Sequence, residues 1–318
     1  MACGRPSRRR DGQPMTGPHD NLFAPDAPTR VMGVVNVTPD SFSDGGAYPD
    51  PHDAVRAAQL MIEQGADVID VGGESTRPGA PRVVASEELR RVLPVVAQLA
   101  SAGVPVSVDT SRASVASAAV DAGALLVNDV SCGRNAELLH IVADRGVHYV
   151  LMHSRGSSTD MAAHAVYNDV VTDVVGELAA RLDVVLAAGV AEDKVIIDPG
   201  IGFAKTPAHN WALLANLGAV ASLGRPLLVG TSRKSFLGAA VSGPGELPRP
   251  PDERDDATQA TTALLADAGV WAVRVHAVRP AVDAVRVVRA WQQAARASGA
   301  GRPRAAVSGS APAAGPSR

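Results

Sequence analysis

The chain has 318 residues, of which 46% are hydrophobic and 20% are charged, and its formal net charge is -3. This length supplies one large core or two small ones, and the weak net charge argues against binding to nucleic acid or a membrane surface. No apolar run is long enough to span a bilayer, and no apolar signal segment follows the N-terminal arginines. Two cysteines cannot build a disulfide framework, so we expect a cytoplasmic protein.

The two ends of the chain differ in composition from the middle. Residues 1–29 are rich in Arg, Pro, Gly and Asp, and residues 297–318 are rich in Ala, Gly, Ser, Pro and Arg. Neither segment has hydrophobic periodicity, so we predict that both are disordered tails. The segment between them, residues 30–296, is predicted to form a single domain.

Within this domain, short apolar runs alternate with stretches of helical spacing. The runs predict eight strands: Val31–Val35, Val68–Val71, Val104–Val108, Leu125–Val127, His148–Met152, Val195–Ile197, Pro226–Val229 and Val270–Val275. The stretches that follow them predict eight helices: Ala54–Gln64, Glu87–Ala100, Ala113–Ala122, Glu137–Asp144, Val170–Ala188, His209–Ser222, Asp256–Ala268 and Val282–Ala295.

This alternation predicts an α/β fold. Continuous, β-branched strands are typical of parallel strands covered on both faces. Eight β/α units over roughly 250 residues match a closed (β/α)8 TIM barrel. A doubly wound open sheet is the alternative, but no Gly-x-Gly-x-x-Gly follows the first strand, which argues against a dinucleotide site.

Polar residues stand where nearly every predicted strand ends, which is where barrels of this class place their chemistry. One such residue after a strand is commonly a helix cap or a turn former. A whole ring of them is harder to assign to capping alone. The ring comprises Asn36, Asp109, Asn128, Asp198, Lys234, Arg274 and His276.

The residue types in this ring indicate a ligand. Carboxylates and amides suit the edge of a heterocycle that carries N–H donors and a carbonyl. Lys234, Arg274 and His276 suit phosphate oxygens, and Arg274 and His276 face the same way because they lie two apart on a strand. Clusters of His and Cys are absent from the sequence, so we expect no transition-metal site, although a hard cation held by Asn or Asp and phosphate remains open.

The chain contains only three lysines, Lys194, Lys205 and Lys234, against many arginines. A chain that otherwise uses Arg keeps Lys where a compact ammonium group is needed. Chance is the alternative explanation, and we hold it for Lys194.

Seven short segments in this order and spacing resemble the dihydropteroate synthases, a family of folate-pathway enzymes. The resemblance runs from about Val31 to Trp291, which is essentially the whole barrel. Any one segment is a weak match, whereas all of them together are strong evidence. The segments are residues 32–46, 70–79, 107–110, 128–130, 198–203, 232–234 and 274–276.

The resemblance implies roles on the pterin side of a site. Asp198 would grip the guanidine-like edge of the pterin through a pair of charge-assisted hydrogen bonds, and Asn128 and Asp109 would complete that edge. Lys234 would donate to the pterin carbonyl, and Arg274 would stack on the ring.

The resemblance also implies an anion site and an arylamine site. Asn36, His276 and Arg274 would hold pyrophosphate, with Mg2+ bridged to Asn36. The implied catalytic residues are Lys234, Arg274, His276, Asp44 and Arg77. The implied p-aminobenzoate pocket comprises Phe42, Thr76, Arg77, Pro78, Phe203 and Ser232, and Met152 is a further implied substrate-binding residue.

The implied reaction joins 6-hydroxymethyl-7,8-dihydropterin pyrophosphate to p-aminobenzoate and yields 7,8-dihydropteroate and pyrophosphate. The family is typically homodimeric, and its substrates are small molecules. Two alternatives remain open: a pterin-binding methyltransferase of the methyltetrahydrofolate–corrinoid class, and a non-catalytic paralogue that binds pterin. The segments at Phe42, Thr76–Pro78, Ser232–Lys234 and His276 favour the synthase.

Overall fold

The structure is a computed structural model that describes residues 19–24, 27–38, 51–75, 79, 82–157 and 159–298. The predicted C-terminal tail therefore lies outside the described residues except for its first two positions, which belong to the end of the last helix and its cap. Most of the predicted N-terminal tail lies outside them too.

Eight parallel strands form one sheet. They are β1 (Arg30–Asn36), β2 (Val68–Gly72), β3 (Val106–Asp109), β4 (Leu126–Asp129), β5 (His148–Met152), β6 (Val195–Asp198), β7 (Leu228–Val229) and β8 (Ala272–Val275). The helices are α1 (Pro51–Glu63), α2 (Ala85–Ser101), α3 (Ala113–Asp121), α4 (Ala136–Arg145), α5 (Val170–Ala187), α6 (Pro207–Ala215), α7 (Leu217–Ala221), α8 (Ser235–Ala240), α9 (Asp255–Asp267) and α10 (Val278–Ala297).

The sheet closes into a barrel. Its strands follow the order β6-β5-β4-β3-β2-β1-β8-β7. A parallel bridge between Ile197 and Leu227 joins the two ends of this order, and Ile197 N donates to Pro226 O at 2.9 Å. The predicted (β/α)8 TIM barrel is therefore confirmed, and the open doubly wound sheet is excluded.

The strands carry apolar side chains on both faces. One cluster, which fills the barrel interior at its amino end, includes Met32, Val68, Leu126, Val150, Ile196, Leu228 and Ala272. A larger cluster joins the outer strand faces to the apolar stripes of the helices. This double burial explains why the strands read as continuous apolar runs rather than as an alternation of apolar and polar residues.

Two helical features differ from the sequence prediction. The helix expected over residues 209–222 is divided at Asn216, whose backbone has φ -121° and ψ 34°. The Asn216 side chain donates to Ala212 O at 2.9 Å, so an asparagine that competes for backbone hydrogen bonds ends α6. The short helix α8 was not predicted, because six residues give too little periodicity to detect.

The N-terminal boundary also differs from the prediction at residue 30. Residues 20–23 form one 3-10 turn that covers the amino end of the barrel. Leu22 is buried in the interior cluster, and its carbonyl accepts a hydrogen bond from Trp271 Nε1 at 3.0 Å. The ring of Phe23 stacks on that of His148, with 3.3 Å between centroids. A single turn has no periodicity, so the sequence pattern could not separate it from the tail.

This contact predicts that the segment around Leu22 stabilises the barrel. Burying a leucine contributes roughly 2 kcal/mol, which corresponds to about 4–8 °C in melting temperature for a chain of this size. We expect a protein that starts at residue 25 to melt lower by this amount than one that starts at residue 19. Scanning calorimetry of the two proteins tests this, and equal melting temperatures would show that the turn is dispensable.

Candidate active site

The carboxyl ends of the strands surround a cleft with a volume of about 380 Å³. All ten of the predicted site residues that the structure describes line it. They are Asn36, Asp109, Asn128, Met152, Asp198, Phe203, Ser232, Lys234, Arg274 and His276. The structure thus brings these residues together, while the individual roles implied by the resemblance stay predictions.

The other five predicted site residues lie on the loops after β1 and β2, outside the described residues. They are Phe42, Asp44, Thr76, Arg77 and Pro78.

Strand register explains why distant residues meet in the cleft. Asp109 on β3 is paired with Asn128 on β4, and Met152 on β5 is paired with Asp198 on β6. Since these strands are parallel and end at the same level, their last side chains project from one rim of the barrel.

Asp198 lies at the centre of this rim and is buried. Its Oδ1 accepts a hydrogen bond from Gly200 N at 2.7 Å. Burial raises the pKa of the Asp198 carboxyl, and the neighbouring Lys234 charge opposes that rise. Among the described residues, no hydrogen bond reaches Oδ2, so this oxygen is available to a ligand donor.

Lys234 provides a cation beside Asp198. Its Nζ donates to Ile201 O and lies 5.0 Å from the centroid of the Phe203 ring. Burial lowers the pKa of Lys234 to about 8, with the Asp198 charge opposing the shift. An ammonium group with this pKa is a ready hydrogen-bond donor to a carbonyl oxygen at neutral pH.

Arg274 joins two carboxylates beneath the cleft. Its Nε donates to Asp70 Oδ2 at 2.7 Å, and its Nη2 donates to Asp109 Oδ2 at 2.9 Å. Asn128 Nδ2 donates to the same Asp70 oxygen at 3.0 Å. Burial raises the pKa of Asp109 to about 7, and the Arg274 charge opposes this rise. The guanidinium therefore stabilises a compact charged group that also orients Asn128.

Asp70 is a site residue that the sequence reasoning did not single out. It is fully buried on β2, and its Oδ1 has no hydrogen-bond partner. The sequence offered a signal, because Asp70 is the one charged residue in an otherwise apolar strand. It lies two positions before Gly72, the last residue of that strand, so both positions are on the inward face.

His276 lies at the rim beside Ser232. Ser232 Oγ accepts from His276 N at 3.2 Å and lies 2.9 Å from His276 Nδ1. The Ser232 hydroxyl can accept this backbone hydrogen bond and still either donate to Nδ1 or accept from it, so the direction of the side-chain hydrogen bond follows the His276 tautomer. Ser232 thus orients His276, in addition to any contact with substrate.

The sequence profile of a family described as pterin binding enzyme matches residues 32–276. The chain belongs to this family. It is 52% identical to the dihydropteroate synthase of Mycobacterium leprae over 270 residues, which cover 84% of this chain and 95% of the relative. This places the chain among the dihydropteroate synthases, as the seven sequence segments predicted.

Solved structures agree with this placement. The Xanthomonas albilineans dihydropteroate synthase with 4-aminobenzoic acid superimposes with a TM-score of 0.77 at 44% identity, covering 83% of this chain and 93% of that one. The same enzyme in complex with 7,8-dihydropteroate gives a TM-score of 0.74 at 42% identity, covering 83% and 94%. The family's members are transferases of folate biosynthesis that form a C–N bond.

No helix among the described residues of this family member is both long enough and apolar enough to cross a membrane.

Proposed function

We propose that the chain condenses 6-hydroxymethyl-7,8-dihydropterin pyrophosphate with p-aminobenzoate to give 7,8-dihydropteroate and pyrophosphate. The observation that carries this proposal is the convergence of Asp198, Lys234 and Asn128 on one cleft whose rim holds His276. A donor-rich heterocycle and an anion thus find complementary groups within one site.

Asp198 and Asn128 supply the pterin edge. The free Asp198 oxygen accepts from the amino and ring N–H groups, and the Asn128 carbonyl oxygen is available because its amide N–H is engaged by Asp70. Lys234 donates to the pterin carbonyl from the other side. Since these groups are buried and fixed before the ligand arrives, little ordering is required on binding.

The anion end is formed by His276 and Asn36. The His276 ring donates an N–H to a phosphate oxygen. The Asn36 side-chain oxygen lines the same cleft and is a hard ligand of the kind that Mg2+ takes together with substrate phosphate and water. The residues therefore fit Mg2+, which when bound would neutralise charge on the departing pyrophosphate.

The reaction breaks the bond between the pterin methylene carbon and the pyrophosphate oxygen, and the electron pair leaves with pyrophosphate. The arylamine nitrogen then forms the new bond to this carbon and loses one proton. Asp198 and Asp109 stabilise positive charge on the pterin as it develops, while His276 stabilises the leaving anion. Phe203 bounds the space for the aryl ring.

Pyrophosphate release from the purified protein tests this proposal. We expect release only when both substrates and Mg2+ are present, with p-aminobenzoate incorporated into dihydropteroate. Well-folded protein that binds the pterin but releases nothing would favour a non-catalytic paralogue. Methyl transfer from methyltetrahydrofolate to a corrinoid would favour the methyltransferase class.

Replacing Asn36 by Ala should raise the Mg2+ concentration required for half-maximal activity. Losing one ligand or phosphate contact costs about 1–2 kcal/mol, or roughly 5–30-fold. Titrating Mg2+ at saturating substrate measures the shift. Asn135→Ala, which removes an asparagine outside the cleft, is the matched control. An unchanged Mg2+ requirement in Asn36→Ala would remove this residue from the metal site.

The chain is also proposed to form a homodimer in the cytoplasm. Helices α9 and α10 pack on each other and expose Leu264, Val287 and Trp291, whose exposed fractions are 70%, 66% and 69%. Large apolar side chains this exposed are typical of an interface. Light scattering should give a dimer mass that Trp291→Arg reduces to that of a monomer, and a monomeric wild type would contradict the proposal.

A further inference from the structure

The loop after β6 is held from outside by side chains. Gly200, Gly202 and Ala204 have positive φ values of 66°, 83° and 50°. A non-glycine residue with such a φ is uncommon, so neighbouring contacts must hold this conformation. Three contacts support the loop: Gly202 N donates to Asn210 Oδ1 at 2.7 Å, Lys205 Nζ to Phe203 O at 3.0 Å, and Tyr167 Oη to Ala204 O at 3.0 Å.

Lys205 is anchored by a chain of buried groups behind the loop. Its Nζ lies 2.9 Å from His153 Nδ1, and His153 Nε2 lies 3.1 Å from Glu177 Oε2. His153 is fully buried, and this burial lowers its pKa to about 3, so the ring is neutral and accepts at Nδ1. Burial also lowers the pKa of Lys205 to about 7, but either protonation state of the amine donates to the Phe203 carbonyl.

Tyr167 is fixed in a similar way. The guanidinium of Arg155 lies over its ring, 3.9 Å from the centroid, and the same Arg155 pairs with Glu177. Both side chains that hold the carbonyls of Phe203 and Ala204 therefore depend on the same carboxylate. Neither Lys205 nor Tyr167 is among the residues that line the cleft, whereas Phe203 is.

We propose that Lys205 and Tyr167 are positioning residues that set the affinity for the arylamine substrate by fixing the backbone of Phe203 and Ala204. The inference rests on the proposed function, in which the Phe203 ring borders the p-aminobenzoate site. Asp198 is held by Gly200 N and by β6 itself, so Lys205 reaches the pterin site only through its charge, which opposes the rise in the Asp198 pKa, whereas Tyr167 brings no charge to it. Loosening Phe203 therefore affects one substrate more than the other.

The test is the separation of the two KM values. We expect Lys205→Met to raise the KM for p-aminobenzoate at least 10-fold while the KM for the pterin pyrophosphate changes less than 2-fold. Tyr167→Phe removes only a hydroxyl and should raise the KM for p-aminobenzoate selectively but by a smaller factor. It replaces Lys205→Met as the test variant if Lys205→Met folds poorly. Lys194→Met, at a lysine before β6 and away from the cleft, is the matched control and should change neither KM.

A double-mutant cycle shows whether Lys205 acts through Phe203. In a Phe203→Leu background, Lys205→Met should add less than 2-fold to the KM for p-aminobenzoate, since the ring it positions is absent. Parallel rises in both KM values, unchanged KM values in both single variants, or full additivity in the cycle would each overturn the inference. A wild-type protein that condenses nothing would instead overturn the proposed function.

Discussion

Asp198→Asn is expected to reduce the affinity for the pterin substrate by about 10–150-fold, the equivalent of losing a charge-assisted hydrogen bond worth roughly 1.5–3 kcal/mol. The amide presents an N–H donor where the pterin edge needs an acceptor. The substitution also removes the carboxylate charge beside the buried Lys234. The charged ammonium that would donate to the pterin carbonyl is therefore less stable. Isothermal calorimetry with the pterin pyrophosphate measures the loss.

Asp193→Asn is the matched control for this change. Asp193 lies in a 3-10 turn before β6 and is exposed, so the same chemical substitution there should leave pterin affinity unaltered. If Asp198→Asn bound the pterin as tightly as the wild type does, Asp198 would not hold the heterocycle edge, and the pterin would have to be placed elsewhere in the cleft.

Arg274→Met is expected to destabilise the fold as well as abolish activity. Its guanidinium pairs with Asp70 at 2.7 Å and Asp109 at 2.9 Å, and both carboxylates are buried. Removing one partner of a buried ion pair costs about 3–5 kcal/mol, because the remaining charge lacks compensation. Urea unfolding at pH 8 measures this loss in the free energy of unfolding.

The loss of stability in Arg274→Met is expected to depend on pH. Without Arg274, the pKa of Asp109 rises further above its unfolded value, so protonation relieves the unpaired charge. The part of the destabilisation that comes from Asp109 should therefore be largest at pH 8 and fade as the pH falls through about 7, where Asp109 is protonated even beside Arg274. The double variant Arg274→Met with Asp70→Asn should recover part of the lost stability. A single variant as stable as the wild type at pH 8 would show that the two ion pairs contribute nothing.

The sequence predicted the barrel because its signals are local and repeated. Eight apolar runs, most of them followed by a polar residue, imply a rim of side chains once the strands are parallel, and Asp109, Asn128 and Asp198 do meet there. The scarcity of lysine was also informative, since Lys205 and Lys234 are both engaged with the loop after β6. Lys194 takes no part in the site.

Other features depend on contacts that no local pattern encodes. Asp70 acts through Arg274, which is 204 positions away in the sequence, so the pairing emerges only when β2 and β8 flank β1. The docking of Leu22 against Trp271 spans 249 positions and involves a single turn. Asn216 divides a helix whose apolar spacing continues on both sides, because its side chain competes for a backbone carbonyl.

In the proposed reaction, one cleft holds the pterin edge at Asp198 and the aryl ring at Phe203. A crystal structure of the chain with 7,8-dihydropteroate would show both contacts at once. We expect the pterin amino and ring N–H groups to donate to Asp198, the pterin carbonyl to accept from Lys234, and the aryl ring to contact Phe203. A product bound outside this cleft, or bound with its pterin edge at His276, would rule out this placement of the two substrates.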